Sequence, residues 1–97
     1  MKLAKFVFNL PVSIFKEGKQ YIAYTYALDL STSGKSLEQV KKRFVEATNI
    51  LFEELVKKGT LDEVLLELGW EKEKKNNKNW LPPIQISNEI ETLAIPV

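Results

Sequence analysis

The side chains that do most protein chemistry are scarce in this sequence. It contains no cysteine and no histidine, which removes the thiolate nucleophile, the disulfide, and the commonest general base and metal ligand together. The four glycines stand apart at 18, 34, 59 and 69, so no glycine-rich phosphate loop is present. Asp29 and Asp62 are the only aspartates. Two carboxylates would suit metal-assisted hydrolysis, but each has a plain local use. Asp62 falls in the first turn of a predicted helix, where the macrodipole favours an anion, and Asp29 at a strand end, where its short side chain serves a turn. Glu53–Glu54 and the i,i+4 pair Glu38–Lys42 read as a solvated helix face. So do Lys41, Lys42 and Arg43, and the run EKEKKNNKN from Glu71 to Asn79 reads as a solvated loop. A net charge of +1 leaves no electrostatic footprint for nucleic acid. The expectation is therefore no catalytic residue, no metal ligand and no cofactor.

With little chemistry to position, the elements are read for packing. The stretch from Ser36 to Gly59 predicts a helix over 36–58. Ser36 and Gln39 form a capping box, Gly59 supplies the left-handed stop, and Lys57 and Lys58 suit the C-terminal dipole. Leu37, Val40, Phe44, Ala47, Leu51 and Leu55 recur on one face, and Val45, Phe52 and Val56 widen that stripe on its flank. Before the helix, a strand is expected from Lys5 to Phe15, interrupted near Pro11. A turn over Lys16 to Gln20 around Gly18 follows, then a second strand from Tyr21 that breaks around Ala27 to Leu30 into a third. The even-numbered residues Phe6, Phe8, Ile22 and Tyr24 are expected to face the helix, since the other face carries Asn9, Ser13, Thr25 and Asp29. Thr60 and Glu63 read as a second capping box, opening a short helix that buries Leu61, Val64, Leu65 and Leu68 and stops at Gly69.

The fold class expected is thus α+β: a three-stranded antiparallel β-meander with one long helix across it (β-β-β-α), a short second helix and a C-terminal strand. Its 97 residues make one core, with 1–70 as the α+β domain, 71–80 as a polar linker loop between the anchors Trp70 and Trp80, and 81–97 as a strand segment. Pro82–Pro83 enforces extended backbone and Ile84, Ile86, Ile90, Leu93, Ile95 and Val97 alternate after it, so this segment needs a sheet edge in its own domain or a neighbouring chain. Self-association, most simply as a dimer, is expected through Val45, Phe52, Val56, Ile84, Ile86, Leu93 and Ile95. No run reaches the ~18 apolar residues of a membrane span and the N-terminus lacks a leader-peptide pattern, so the chain is expected in the cytoplasm, off the membrane.

The run GKQYIAYTYALDLSTSGKSLEQVKKRFVEA resembles the HicB family of antitoxins. Gly18 and Tyr21 match its hairpin, Leu28 and Leu30 its turn, Gly34, Ser36, Leu37 and Glu38 its helix start, and Ala47 a later helix alanine, while Val40 replaces an alanine. The likeness covers roughly Phe6 to Leu55, about half the chain. Ala27 to Ser31 departs from the Pro-Glu-Leu-Pro-Gly common in the family, and Lys35 stands where an aspartate is common. The resemblance implies a partial RNase H-like fold without nuclease activity, acting as a non-catalytic protein-binding module that neutralises a HicA-type mRNA-cleaving toxin by occlusion. The alternative is a solitary HicB-like domain serving as an oligomeric scaffold or small-ligand binder with no toxin partner. The 27 residues after Trp70 show no helical period, so the DNA-binding domain that many family members carry is not expected here.

Overall fold

A computed structural model describes residues 8–75 and 79–97. Its sheet begins later than the sequence suggests. Strand β1 spans Ser13–Glu17, residues 8–12 take no regular structure, and residues 1–7, including Phe6, lie outside the described residues. Pairing starts only past Pro11, which has no N–H to give to a ladder. At its other end β1 takes in Lys16 and Glu17, because the hairpin loop needs only Gly18 and Lys19. Glu17 pairs with Gln20 and Gly18 adopts φ +59°, the positive value of the first central residue in a type II′ turn. Strands β2 (Gln20–Thr25) and β3 (Leu30–Gly34) complete the antiparallel meander in the order β1-β2-β3. Residues 26–29 turn between them, as the predicted break requires, with Asp29 in the left-handed region at φ 48°. Aspartate is among the few non-glycine residues that tolerate it.

Helix α1 (Leu37–Lys58) has both predicted ends. Ser36 Oγ accepts from the Gln39 N–H at 3.1 Å, and Gln39 Oε1 accepts from the Lys35 N–H at 2.7 Å, one residue earlier than in the usual reciprocal cap. At the C-terminus Gly59 takes φ 70°, its N–H donating to Val56 at 3.1 Å while the Thr60 N–H donates to Leu55 at 3.0 Å. These paired bonds are a Schellman closure. That closure overturns the second capping box. Thr60 precedes α2 (Leu61–Glu67) with φ −110° and ψ 9°, outside the extended region an N-cap side chain uses, and it makes no side-chain cap bond. A second Schellman closure ends α2 on Gly69, where Gly69 and Trp70 donate to Leu66 and Leu65 at 3.1 and 2.9 Å.

The stretch expected as a linker loop closes at its ends into a small hairpin. β4 (Glu71–Lys72) pairs antiparallel with β5 (Trp80–Leu81), and the Lys72 ammonium sits 5.3 Å from the centre of the Trp80 ring. Trp70 and Trp80 are buried, as anchors should be. The Trp70 indole N–H donates to the Ala27 carbonyl at 2.7 Å, tying the end of α2 to the β2–β3 turn. β5 is the C-terminal strand that forms; among the described residues, 84–97 pair with no other strand.

Two clusters make the core. Ala23, Val40 and Phe44 lie between the sheet and α1, while Ala27, Leu28, Leu65, Trp70 and Trp80 lie between the turn, α2 and the small hairpin. Leu10 and Leu30 pack against both.

The helix crosses one face of the meander, but β2 meets it with the opposite set of side chains. Ala23 and Thr25 are fully buried and Tyr21 packs against the α1 cluster, whereas Ile22 and Tyr24 stand on the other face. Opposed residues of a ladder share a face, so Ile14, opposite Ala23, joins the helix side and Phe15, opposite Ile22, the other. The reason is steric. An ideal Cβ on Gly34 would lie 2.8 Å from the Val40 backbone nitrogen, so the first turn of α1 rests almost on the end of β3 and leaves no room for a side chain at that position. Ala23 and Thr25 are fully buried on that side, while the larger Tyr21 and Ile14 on the same side stay partly exposed.

Candidate functional site

The register that seats α1 turns the larger side chains of β2 outward. Phe15, Ile22 and Ser33 form one cross-strand row and Ser13, Tyr24 and Ser31 the next. Phe15 is exposed at 51%, Ile22 and Tyr24 are half-buried, and no helix of the described residues covers this face. Serine on both outer strands keeps the rim polar around an apolar and aromatic centre. That is the anatomy of a small contact surface, with hydroxyls free to bond outward. Asp29 closes one end. Its carboxylate accepts the Tyr24 hydroxyl proton at 3.2 Å. Partial burial first, then the Asp29 hydrogen bond and its negative charge, raise the Tyr24 phenol above its ordinary value near 10. The sequence reading missed this face, although the small residues at 23, 25 and 34 were the signal for it.

The two aspartates are engaged separately, Asp29 by Tyr24 and Asp62 by the Lys72 ammonium at 3.2 Å. They are not assembled into one site. Among the described residues no group of three or more His, Cys, Asp or Glu side chains could hold a metal ion. In the basic cluster Arg43 is occupied as well, its guanidinium donating to the Ser33 carbonyl at 3.0 Å.

Of the residues expected to self-associate, Val45 and Val56 are exposed on the outer side of α1 at 58% and 61%. Phe52 is a correction. It turns inward and stacks at 5.3 Å from Phe8 and 6.2 Å from Trp70, because α2 brings an aromatic partner to that side of α1. Ile84, Ile86, Leu93 and Ile95 are exposed at 82, 90, 76 and 74%. At the root of that segment an open apolar groove of about 630 Å³ runs between Phe8–Pro11 and Trp80–Gln85.

Compared with models of known protein families, with curated proteins and with solved structures, the chain matches none. Among the described residues no helix is long and apolar enough to cross a membrane.

Proposed function

We propose that this chain is a non-catalytic protein-binding module of the HicB-antitoxin type, working in the cytoplasm by covering a HicA-type mRNA-cleaving toxin. The observation that carries the reading is the open face of the meander: an apolar and aromatic centre of Phe15, Ile22 and Tyr24 with a serine rim, backed by a well-capped helix. A rigid, helix-backed sheet presents such a face at little entropic cost, which is what occlusion of another protein's active site requires. The sequence likeness from Phe6 to Leu55 supplies the choice of partner.

The test is neutralisation of a small, basic, histidine-containing HicA-type toxin encoded beside this chain. Co-expression should restore growth, and Ile22→Glu, placing a charge at the centre of the face, should abolish rescue while the far-ultraviolet circular dichroism stays unchanged. Failure of the purified wild-type chain to bind or inhibit that toxin would overturn the proposal. It would leave the second reading, an oligomeric scaffold, which the exposed segment 84–97 favours.

A further inference from the structure

We propose that residues 84–97 of one chain add as a strand to the free edge of β1 in a second copy of the same chain, each copy giving its tail to the other. Among the described residues the tail pairs with no strand of its own body. Its root is fixed, since Pro82–Pro83 enforces extended backbone and the Pro83 carbonyl accepts the Tyr26 hydroxyl at 3.2 Å. From there it runs outward. The molecule measures 55 Å along its longest axis against 29 and 21 Å, and Ile84, Ile86 and Ile90 are 82, 90 and 97% exposed. These β-branched residues suit a strand, and among the described residues their backbone makes no ladder hydrogen bonds, which calls for a sheet edge.

The edge is on the same chain. The meander has two, and they differ. Beside β3 lies α1, whose Arg43 guanidinium already occupies the Ser33 carbonyl. β1 pairs only with β2 among the described residues, and it displays Val12, Ile14 and Phe15 at 40, 37 and 51% exposure on or just before it. Phe8–Pro11, which wall an apolar groove against Trp80–Gln85 at the root of the tail, run on in sequence into β1, so Phe8 to Glu17 forms one receiving tract. Charge agrees with the pairing. The tail bears Glu89 and Glu91 and no basic residue, whereas the β1–β2 hairpin carries Lys16 and Lys19 against the single acid Glu17.

A chain that holds both the strand and the edge it needs, with the strand directed away, is self-complementary. Reciprocal exchange about a two-fold axis satisfies each edge once and closes at two copies. Tail and receiving tract together supply about the 20–30 residues per side of a stable interface.

The full chain should sediment as a dimer at micromolar concentration. I86E/I90E, at positions exposed in the single chain, should sediment as a monomer with unchanged circular dichroism, and V45E/V56E on the outer side of α1 should remain dimeric. Because the chain has no cysteine, a mixture of F15C and I90C chains should give a cross-linked heterodimer when oxidised. A wild-type monomer at high micromolar concentration overturns the proposal, as does a dimer that survives I86E/I90E or is lost in V45E/V56E. The open sheet face shares Phe15 with this edge, but Ile22→Glu probes the face and I86E/I90E the tail, so the two readings fail separately.

Discussion

Gly34 is the residue on which the seating of α1 depends. Its requirement is space, since a Cβ there would meet the Val40 nitrogen at 2.8 Å and Cα at 3.0 Å, and backbone atoms in a capped first turn cannot swing aside. Gly34→Ala should therefore cost about 1–3 kcal/mol by overpacking, read as a lower denaturant midpoint at an unchanged slope. An unchanged midpoint would mean that α1 shifts freely on the sheet. Close approach has a second consequence in Thr25 and Thr32, whose hydroxyls are buried with no partner within the protein. On the open face Tyr24 makes a pH-dependent contribution. Its phenol holds the proton more tightly folded than unfolded, so this stability is fully present below about pH 10 and is lost as pH rises through the folded-state value. Asp29→Asn keeps the left-handed turn residue but removes the charge. Ultraviolet titration of the three tyrosines should show the highest phenol value move down in that variant, and the alkaline fall in stability should become shallower.

At the scale of the element, α1 is held by one stripe and leaves another in water. Val40, Phe44 and Leu55 are buried, while Val45, Ile50 and Val56 on the outer flank are 58–61% exposed. Phe44 sits over Ala23, where nothing small can collapse into the space it would vacate. Phe44→Ala should cost about 3–5 kcal/mol, measured by chemical denaturation. A loss under about 1 kcal/mol would place the helix on the wrong side of the sheet. The flank that carries Phe52 behaves differently, because the Schellman closure at Gly59 returns α2 and Trp70 against it. One local turn thus decides which part of a wide apolar arc is covered.

At the scale of the whole molecule the body and the tail obey different rules. The two core clusters share Leu10 and Leu30, so sheet, helices and small hairpin form one continuous interior. The radius of gyration is nonetheless 16.3 Å, against about 13 Å for a compact chain of 100 residues. Residues 84–97 lie outside the two core clusters, and their large apolar side chains are at least 74% exposed. Whether a second copy buries those side chains is what the dimer experiment measures.

What the sequence by itself determined was whatever rests on neighbours a few residues apart. The limits of α1 are legible in Ser36, Gln39 and Gly59, the hairpin in Gly18, the buried side of α2 in Leu61, Leu65 and Leu68, and the clasp in Trp70 and Trp80. Caps and turns are satisfied within one turn of chain, so their signals are local. The tertiary structure alone decided which face of β2 meets the helix. Both alternations offered apolar residues, and a strand read with the wrong face inward exchanges every side chain at once. The packing of α1 over β2 takes Ala23 and Thr25 inside with Val40 and Phe44 and turns Ile22 and Tyr24 out to form the candidate site. No period in the strand encodes that choice, because it depends on side chains of α1, such as Val40 and Phe44, that lie far along the chain from Ala23.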